Sequence, residues 1–484
     1  MSYKQKKYII AGAGILIFFI LVWAWSCIFL FLPFNHDAGY YLSCAERIYE
    51  GSKPYLDFEI HYPPVGIYYF ALFRHLLEGD PTLYRFSLLL AEILSAFLFF
   101  LLSGAFIKNM VLRFTGTLLF LLLYLSYDGG FFVLEYFVTI FTITTILFLL
   151  RDRKSRLFTL LAGIFFLLAI MSKQYAVVTF PVIVFLLFKT NNSFPVDYRT
   201  GAMRSVFFII GFFFAFFAIV PFLGINIGDF ISQLTGAGYG KIGALKMFVH
   251  LLSLRNMWFV LVFLLGFYML WRNFLSGTFL LLSLFILNLI PTLVRGYAHY
   301  YQLPLPYALI LLISIIEYYF IEEHGKKRNI FENMMMFLTG LALSITILFA
   351  IHVPVYYSLN KDSQNYLYEK LYSKYNFNRK TLAETLGMAK KINEILPVGT
   401  RVAVINEPSY SFLCGFRPPE DKNGYRFIGQ GSIGEYDLDK IDNIIWFDGS
   451  LDYATFLKAV SESHVKVSSF SFSDKNRVEI WKRK

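Results

Sequence analysis

Asp37, Asp57, Glu59 and Glu135 supply carboxylates, Lys173 and Arg295 cations, and His61 and His299 imidazoles, all beside or between long apolar runs. A carboxylate next to a hydroxyl can take its proton and make it a nucleophile. A cation, or a metal held by Glu and His, can hold the charge on a departing phosphate. Together they could transfer a group off a phosphate ester. Glu135, in "FFVLEYFVTIF", is the most telling, because a carboxylate at bilayer depth is costly and usually functional. Singly, the others say less. Asp37 reads equally as an acid flanking a helix, Asp57, Glu59 and His61 as solvated loop charges, Lys173 as a turn cation and His299 as a satisfied interfacial histidine. Chemistry requires that the chain gather them.

The elements that would gather them are membrane spans. The 484-residue chain is 57% hydrophobic and 16% charged, against about 25% charged in soluble domains, and its mean hydropathy is +0.56. The apolar residues come in runs near the ~20 that cross a bilayer as helix. Expected spans are about 8–32, 87–107, 112–127, 132–150, 157–171, 175–188, 205–225, 257–271, 276–294, 302–321 and 334–353. The first resembles a signal peptide but is too long for an h-region and has no A-x-A site, so it reads as an uncleaved span. The expected fold class is an α-helical polytopic membrane protein of about eleven transmembrane helices.

The charges orient these spans. Lys4, Lys6 and Lys7, Lys108 and Arg113, "RDRKSR" at 151–156, Lys189, Arg199 and Arg204, Arg272, and "KKR" at 326–328 all fall on one side. By the positive-inside rule that side is cytoplasmic. This accounts for the net charge of +11 without nucleic acid, and the lipid bilayer is the expected environment. The other side receives residues 33–86, 128–131, 172–174, 226–256, 295–301 and the tail. Asp37, Asp57, Glu59, His61, Glu135, Lys173, Arg295 and His299 thus gather at one membrane face, with Tyr300 beside His299. No repeat is seen, and of the three cysteines none forms a CxxC pair. Cys44 and Cys414 share the oxidising side, which permits a disulfide.

Residues 33–86 form a long first loop. Within it 38–50 reads as an amphipathic helix with Tyr41, Ala45, Ile48 and Tyr49 on one face, Glu46, Arg47 and Glu50 off it, and Gly51 as its stop. After Pro63-Pro64, "VGIYYFALFRHLL" reads as a second juxtamembrane helix. Such helices can lie in the interface, where Tyr40, Tyr41 and Asp57 would meet an acceptor. Residues 1–354 are expected to form the membrane domain and 355–484 a small extracytoplasmic α/β domain. The latter has helices at 382–397 and 453–463 and strands at 401–406, 441–449 and 478–483.

The stretch "HDAGYYLSCAERIYEGSKPYLDFEIHYPPVGIYYFAL" resembles the first outer loop of the C-type (GT-C) membrane glycosyltransferases, which include protein O-mannosyltransferases and lipid A aminoarabinose transferases. The shared pattern is an acid after span one, an aromatic and small-residue helix, "G-x-x-P-Y-x-D-F", then Pro-Pro and an aromatic helix. The resemblance continues at "LEYFVTIF", "SKQYAVVTFP", "HYYQLPLP" and "ILPVGTRVAVINEPSYSFLCGFRPP". It implies a polyprenyl-phosphate sugar as donor and a hydroxyl on an outer lipid, polysaccharide or protein as acceptor. Asp37 would be the catalytic base and Glu135 the second acid. Lys173, Arg295, His299 and Tyr300 would lie on the donor-phosphate side. Glu59, His61 and His299 would hold a divalent metal or the phosphate, and relatives differ in metal dependence. The chain departs from the pattern at Ala38, where many relatives carry a second acid, and at "IHYPP", where some carry a lysine.

Two other classes compete. A secondary transporter would place its polar groups near the bilayer midplane on broken helices of repeated halves; here they cluster at outer ends. An O-antigen-type polymerase or ligase carries its large outer loop late in the chain, whereas this loop follows span one.

Overall fold

The computed structural model describes residues 36–58, 60, 62–76, 84–127, 133–151, 155–189, 198–223, 225, 227–228, 230, 251–253, 256–273, 276–295, 298–319, 330–359, 382–405, 414, 416, 441–447, 453–473 and 476–484. The expected first span lies outside them. Helices stand at each of the other ten expected spans: α3 (Tyr84–Ser103), α4 (Met110–Ser126), α5 (Glu135–Arg151), α6 (Arg156–Ser172), α7 (Phe180–Phe188), α8 (Tyr198–Phe222), α9 (Met257–Asn273), α10 (Ser276–Arg295), α11 (Leu305–Glu317) and α12 (Ile330–Leu359). Among the described residues, Phe86–Ser103, Tyr198–Phe222 and Gly277–Val294 are long and apolar enough to cross a membrane, and six other apolar helices are shorter. Leu88–Ala218 and Tyr239–Leu359 fall in one compact unit, and Phe31–Ser87, Ile219–Gly238 and Asn360–Lys484 in another.

Local chemistry sets the helix ends in the first unit. The Asn109 side chain accepts from the Val111 and Leu112 amides and starts α4, as an N-cap should. The Glu317 carboxylate accepts the Lys108 and Asn109 amides just before it. The Arg204 guanidinium donates to the carbonyls of Leu149, Leu186 and Leu187, placing a cation at the C-terminal ends of α5 and α7. Hydroxyls inside the helices bond back one turn, Thr145 to Phe141 and Thr339 to Met335 among them, which satisfies them without water. α8 leaves Phe213, Phe214 and Phe217 exposed, a face suited to lipid.

In the second unit α1 (His36–Tyr49) and α2 (Val65–Leu76) occupy the first loop as expected, and Arg74 pairs with Glu46 at 2.7 Å between them. α1 is more deeply packed than its pattern implies. Arg47, expected on the polar face, is buried beneath 6% exposure, and Tyr49, expected on the apolar face, is 40% exposed. The Arg47 guanidinium covers the Phe58 ring at 4.8 Å, a contact across the following turn that helical periodicity does not encode. The helix ends at Gly51, φ +92°, where the Gly51 amide bonds the Ile48 carbonyl and the Ser52 amide the Arg47 carbonyl. This pairing needs the left-handed residue glycine supplies. Cys44 and Cys414 are buried free thiols, so the disulfide is not formed; burial pushes the Cys44 thiol up to about 12.

The tail folds as α13 (Leu382–Ile395), β1 (Ala403–Ile405), β2 (Asn443–Phe447), α14 (Tyr453–Val460), β3 (His464–Ser473) and β4 (Asn476–Arg483). The strand order is β1-β2-β4-β3, with β1 parallel to β2 and the others antiparallel. Phe456 and Val460 of α14 pack on Ile444, Trp446 and Trp481. β3 was not expected from the sequence. Its serines resemble a loop, although Val465 and Val467 alternate with polar residues in the two-residue period of a strand.

Candidate active site

Three interruptions of helix bring the site together. Glu135 opens α5. Lys173 caps α6 in extended conformation, its amide bonding the Ala169 carbonyl, and a 3₁₀ turn, Gln174–Thr179, follows with Pro181 beginning α7. His299 and Tyr300 sit on a second 3₁₀ turn, Ala298–Gln302, between α10 and α11. That turn is held from behind. Thr292 Oγ1 donates to the Tyr300 carbonyl at 3.0 Å, and Gln302 Nε2 to the Tyr127 carbonyl at 2.6 Å. Tyr301 stacks on Tyr127, whose hydroxyl accepts from Trp258 Nε1 at 3.0 Å. Val138, Ala169, Ala176, Tyr300 and Leu303 make an apolar floor.

Lys173 Nζ lies 2.5 Å from Glu135 Oε1, with Glu135 fully buried and Lys173 at 2% exposure. His299 Nε2 lies 3.8 Å from the same oxygen and keeps 13% of its side chain exposed, making it the solvent-facing member. The Lys173 ammonium also sits 4.6 Å from the Tyr300 ring centre, a cation over an aromatic face. Tyr300 is flanked by His299 at 4.6 Å and Tyr175 at 5.4 Å. Glu135 Oε2 is buried and makes no hydrogen bond among the described residues. A buried acceptor left open in this way is expensive, and it is the atom of the cluster still able to receive a donor.

The structure therefore brings together Glu135, Lys173, His299 and Tyr300. Arg295 is the last residue of α10 and Asp37 the second of α1; their side chains lie outside the described structure, as do Glu59 and His61. Asp57 lies in the loop between α1 and α2. It is exposed, and its Oδ2 accepts the Lys53 amide at 2.7 Å, closing the turn before Phe58. Tyr40 and Tyr41 are 2% exposed and meet Tyr62 edge-on at 6.1 and 5.6 Å, so they enter the loop as packing.

Among the described residues no group of three His, Cys, Asp or Glu side chains is placed to hold a metal. Sequence reasoning missed Glu92. This carboxylate of α3 is 5% exposed and accepts the Tyr136 hydroxyl at 2.9 Å. Its signal was legible as an acid in the apolar run "FSLLLAEILSAFLFF".

No protein-family model matches the chain, and no curated protein matches it in sequence. Its fold does have relatives among solved structures. ArnT from Cupriavidus metallidurans in the apo state superposes with a TM-score of 0.60 at 11% identity, over 97% of this chain and 98% of that one. ArnT bound to undecaprenyl phosphate gives 0.56 at 11% identity, over 99% and 98%. The archaeal oligosaccharyltransferase AglB from Archaeoglobus fulgidus, in complex with an inhibitory peptide and a dolichol-phosphate, gives 0.50 at 12% identity, over 92% and 70%. The chain thus shares its fold with these structures.

Proposed function

We propose that this protein is a membrane glycosyltransferase that moves a hexosyl or pentosyl group from a polyprenyl-phosphate donor to a hydroxyl of a lipid, polysaccharide or protein. The acceptor oxygen attacks sugar C1 and its proton passes to the Asp37 carboxylate. The bond from C1 to the phosphate oxygen breaks, polyprenyl phosphate leaves with the electron pair, and the configuration at C1 inverts. Lys173, Arg295, His299 and Tyr300 hold the phosphate. Glu135 is the second acid of the site. Residues 1–354 form the catalytic body and 355–484 an extracytoplasmic domain. The protein is multi-pass in a prokaryotic cytoplasmic membrane with its N-terminus inside.

The observation that carries this reading is the buried Glu135–Lys173 pair with His299 at its open side, in a fold shared with ArnT, a structure of which holds undecaprenyl phosphate. A carboxylate and cations set at membrane depth suit a phosphate whose other end is lipid. The test uses purified protein in detergent with a panel of polyprenyl-phosphate sugars and measures released polyprenyl phosphate. Wild type is expected to release it, and Asp37→Asn to lose at least about a hundredfold in rate, the lower range for removing a general base. Equal rates for the two would reject Asp37 as the base. No release with any donor, together with gradient-driven solute uptake into liposomes, would replace the enzyme by a transporter.

A further inference from the structure

We infer that Glu92 is a positioning residue for Glu135, acting through Tyr136; this rests on the reading of Glu135 as an acid of the site. The first turn of a helix lacks intrahelical partners for its amides and depends on other anchors. In α5 that turn holds Glu135 itself, and the Phe137 and Val138 amides reach back to the Leu134 carbonyl, at 3.1 and 3.4 Å. Tyr136 supplies a side-chain anchor. It is fully buried, its hydroxyl donates to Glu92 Oε1, and its ring lies 5.0 Å from that of Tyr124 on α4. α3, α4 and α5 therefore meet through side chains one residue from the site acid.

A carboxylate in an apolar span costs stability, and a helix end could be packed with leucine. Tyr124 is within electrostatic reach of both Glu92 and Glu135 and lies beside Ser95 and Thr139, all three being buried. Turning α5 about its axis would break the Tyr136 bond and swing Glu135 from Lys173, so the two contacts fix one rotation. Such a fixed orientation is what a catalytic group needs, since small misplacements are costly in rate.

The test uses Glu92→Met, which removes the acceptor at similar volume, Glu92→Gln, which keeps a carbonyl acceptor, Tyr136→Phe, and the double variant Glu92→Met/Tyr136→Phe. Release of polyprenyl phosphate is expected to fall about tenfold in kcat with Glu92→Met and with Tyr136→Phe, at unchanged donor KM. That is the fold-change for roughly one hydrogen bond. Glu92→Gln is expected to stay within about threefold of wild type, and the double variant to equal either single one, as partners in one contact do. A structure of Glu92→Met is expected to show the Glu135–Lys173 pair parted. A pair still closed, or additive losses, or equal losses with Gln and Met, would overturn the inference. The structure of the variant reads the geometry whether or not a donor turns over, so failure of the glycosyltransferase reading appears separately, as an inactive wild type.

Discussion

Lys173 and Glu135 bury opposite charges that neither could bury alone. Their burial is nearly complete, so each charge is compensated chiefly by the other and by the Tyr300 ring. Breaking such a pair from one side costs about 3–5 kcal/mol, whereas replacing both partners by apolar groups is often neutral. Lys173→Met is therefore expected to lower the thermal unfolding midpoint in detergent sharply. The double variant Glu135→Leu/Lys173→Met is expected to recover most of that loss while releasing no polyprenyl phosphate. A Lys173→Met protein as stable as wild type would show that the two groups are not an ion pair. The residue types were legible: an acid, a cation and a histidine beside apolar runs. Their pairing was not, because Glu135 and Lys173 stand 38 positions apart and no one-dimensional pattern carries a distance.

Helices α6 and α8 cross at two glycines. A Cβ on Gly163 would strike the Phe208 carbonyl, and one on Gly211 the Leu160 carbonyl. In a membrane, where lipid is as apolar as leucine, helices associate through such close backbone approach. Gly163→Ala and Gly211→Ala are each expected to lower stability by about 1–3 kcal/mol, the range for overpacking. Gly340→Ala serves as control, since its Cβ would meet nothing within 4 Å. It should be neutral or stabilising, by at most the ~1 kcal/mol by which alanine exceeds glycine in helix. Thermal midpoints of the three variants decide the point. Element positions were the most legible feature of the sequence, because hydropathy and proline or glycine punctuation are local. β3 escaped notice because serine-rich composition hid a two-residue alternation. Arg47 was assigned to the wrong face because its partner, Phe58, lies in the next turn.

For the molecule as a whole, charge bias predicts the sides. On the proposed orientation, an alkaline phosphatase fused after Lys484 is expected to be active outside the cytoplasmic membrane, and one inserted in the "RDRKSR" segment inactive. Activity in the reverse pattern would invert the topology and move Glu135, Lys173 and His299 to the cytoplasmic face. The sequence by itself determined the membrane class, the helix positions at ten expected spans and the α/β tail. Each of these follows from local composition and periodicity, which the bilayer and the hydrogen-bonding backbone read directly. Only the tertiary structure decided that Glu135, Lys173, His299 and Tyr300 touch, that Asp57 closes a turn, and that Glu92 reaches Tyr136. Those depend on how far helices rotate and how closely they cross. Packing between residues distant in the chain sets both.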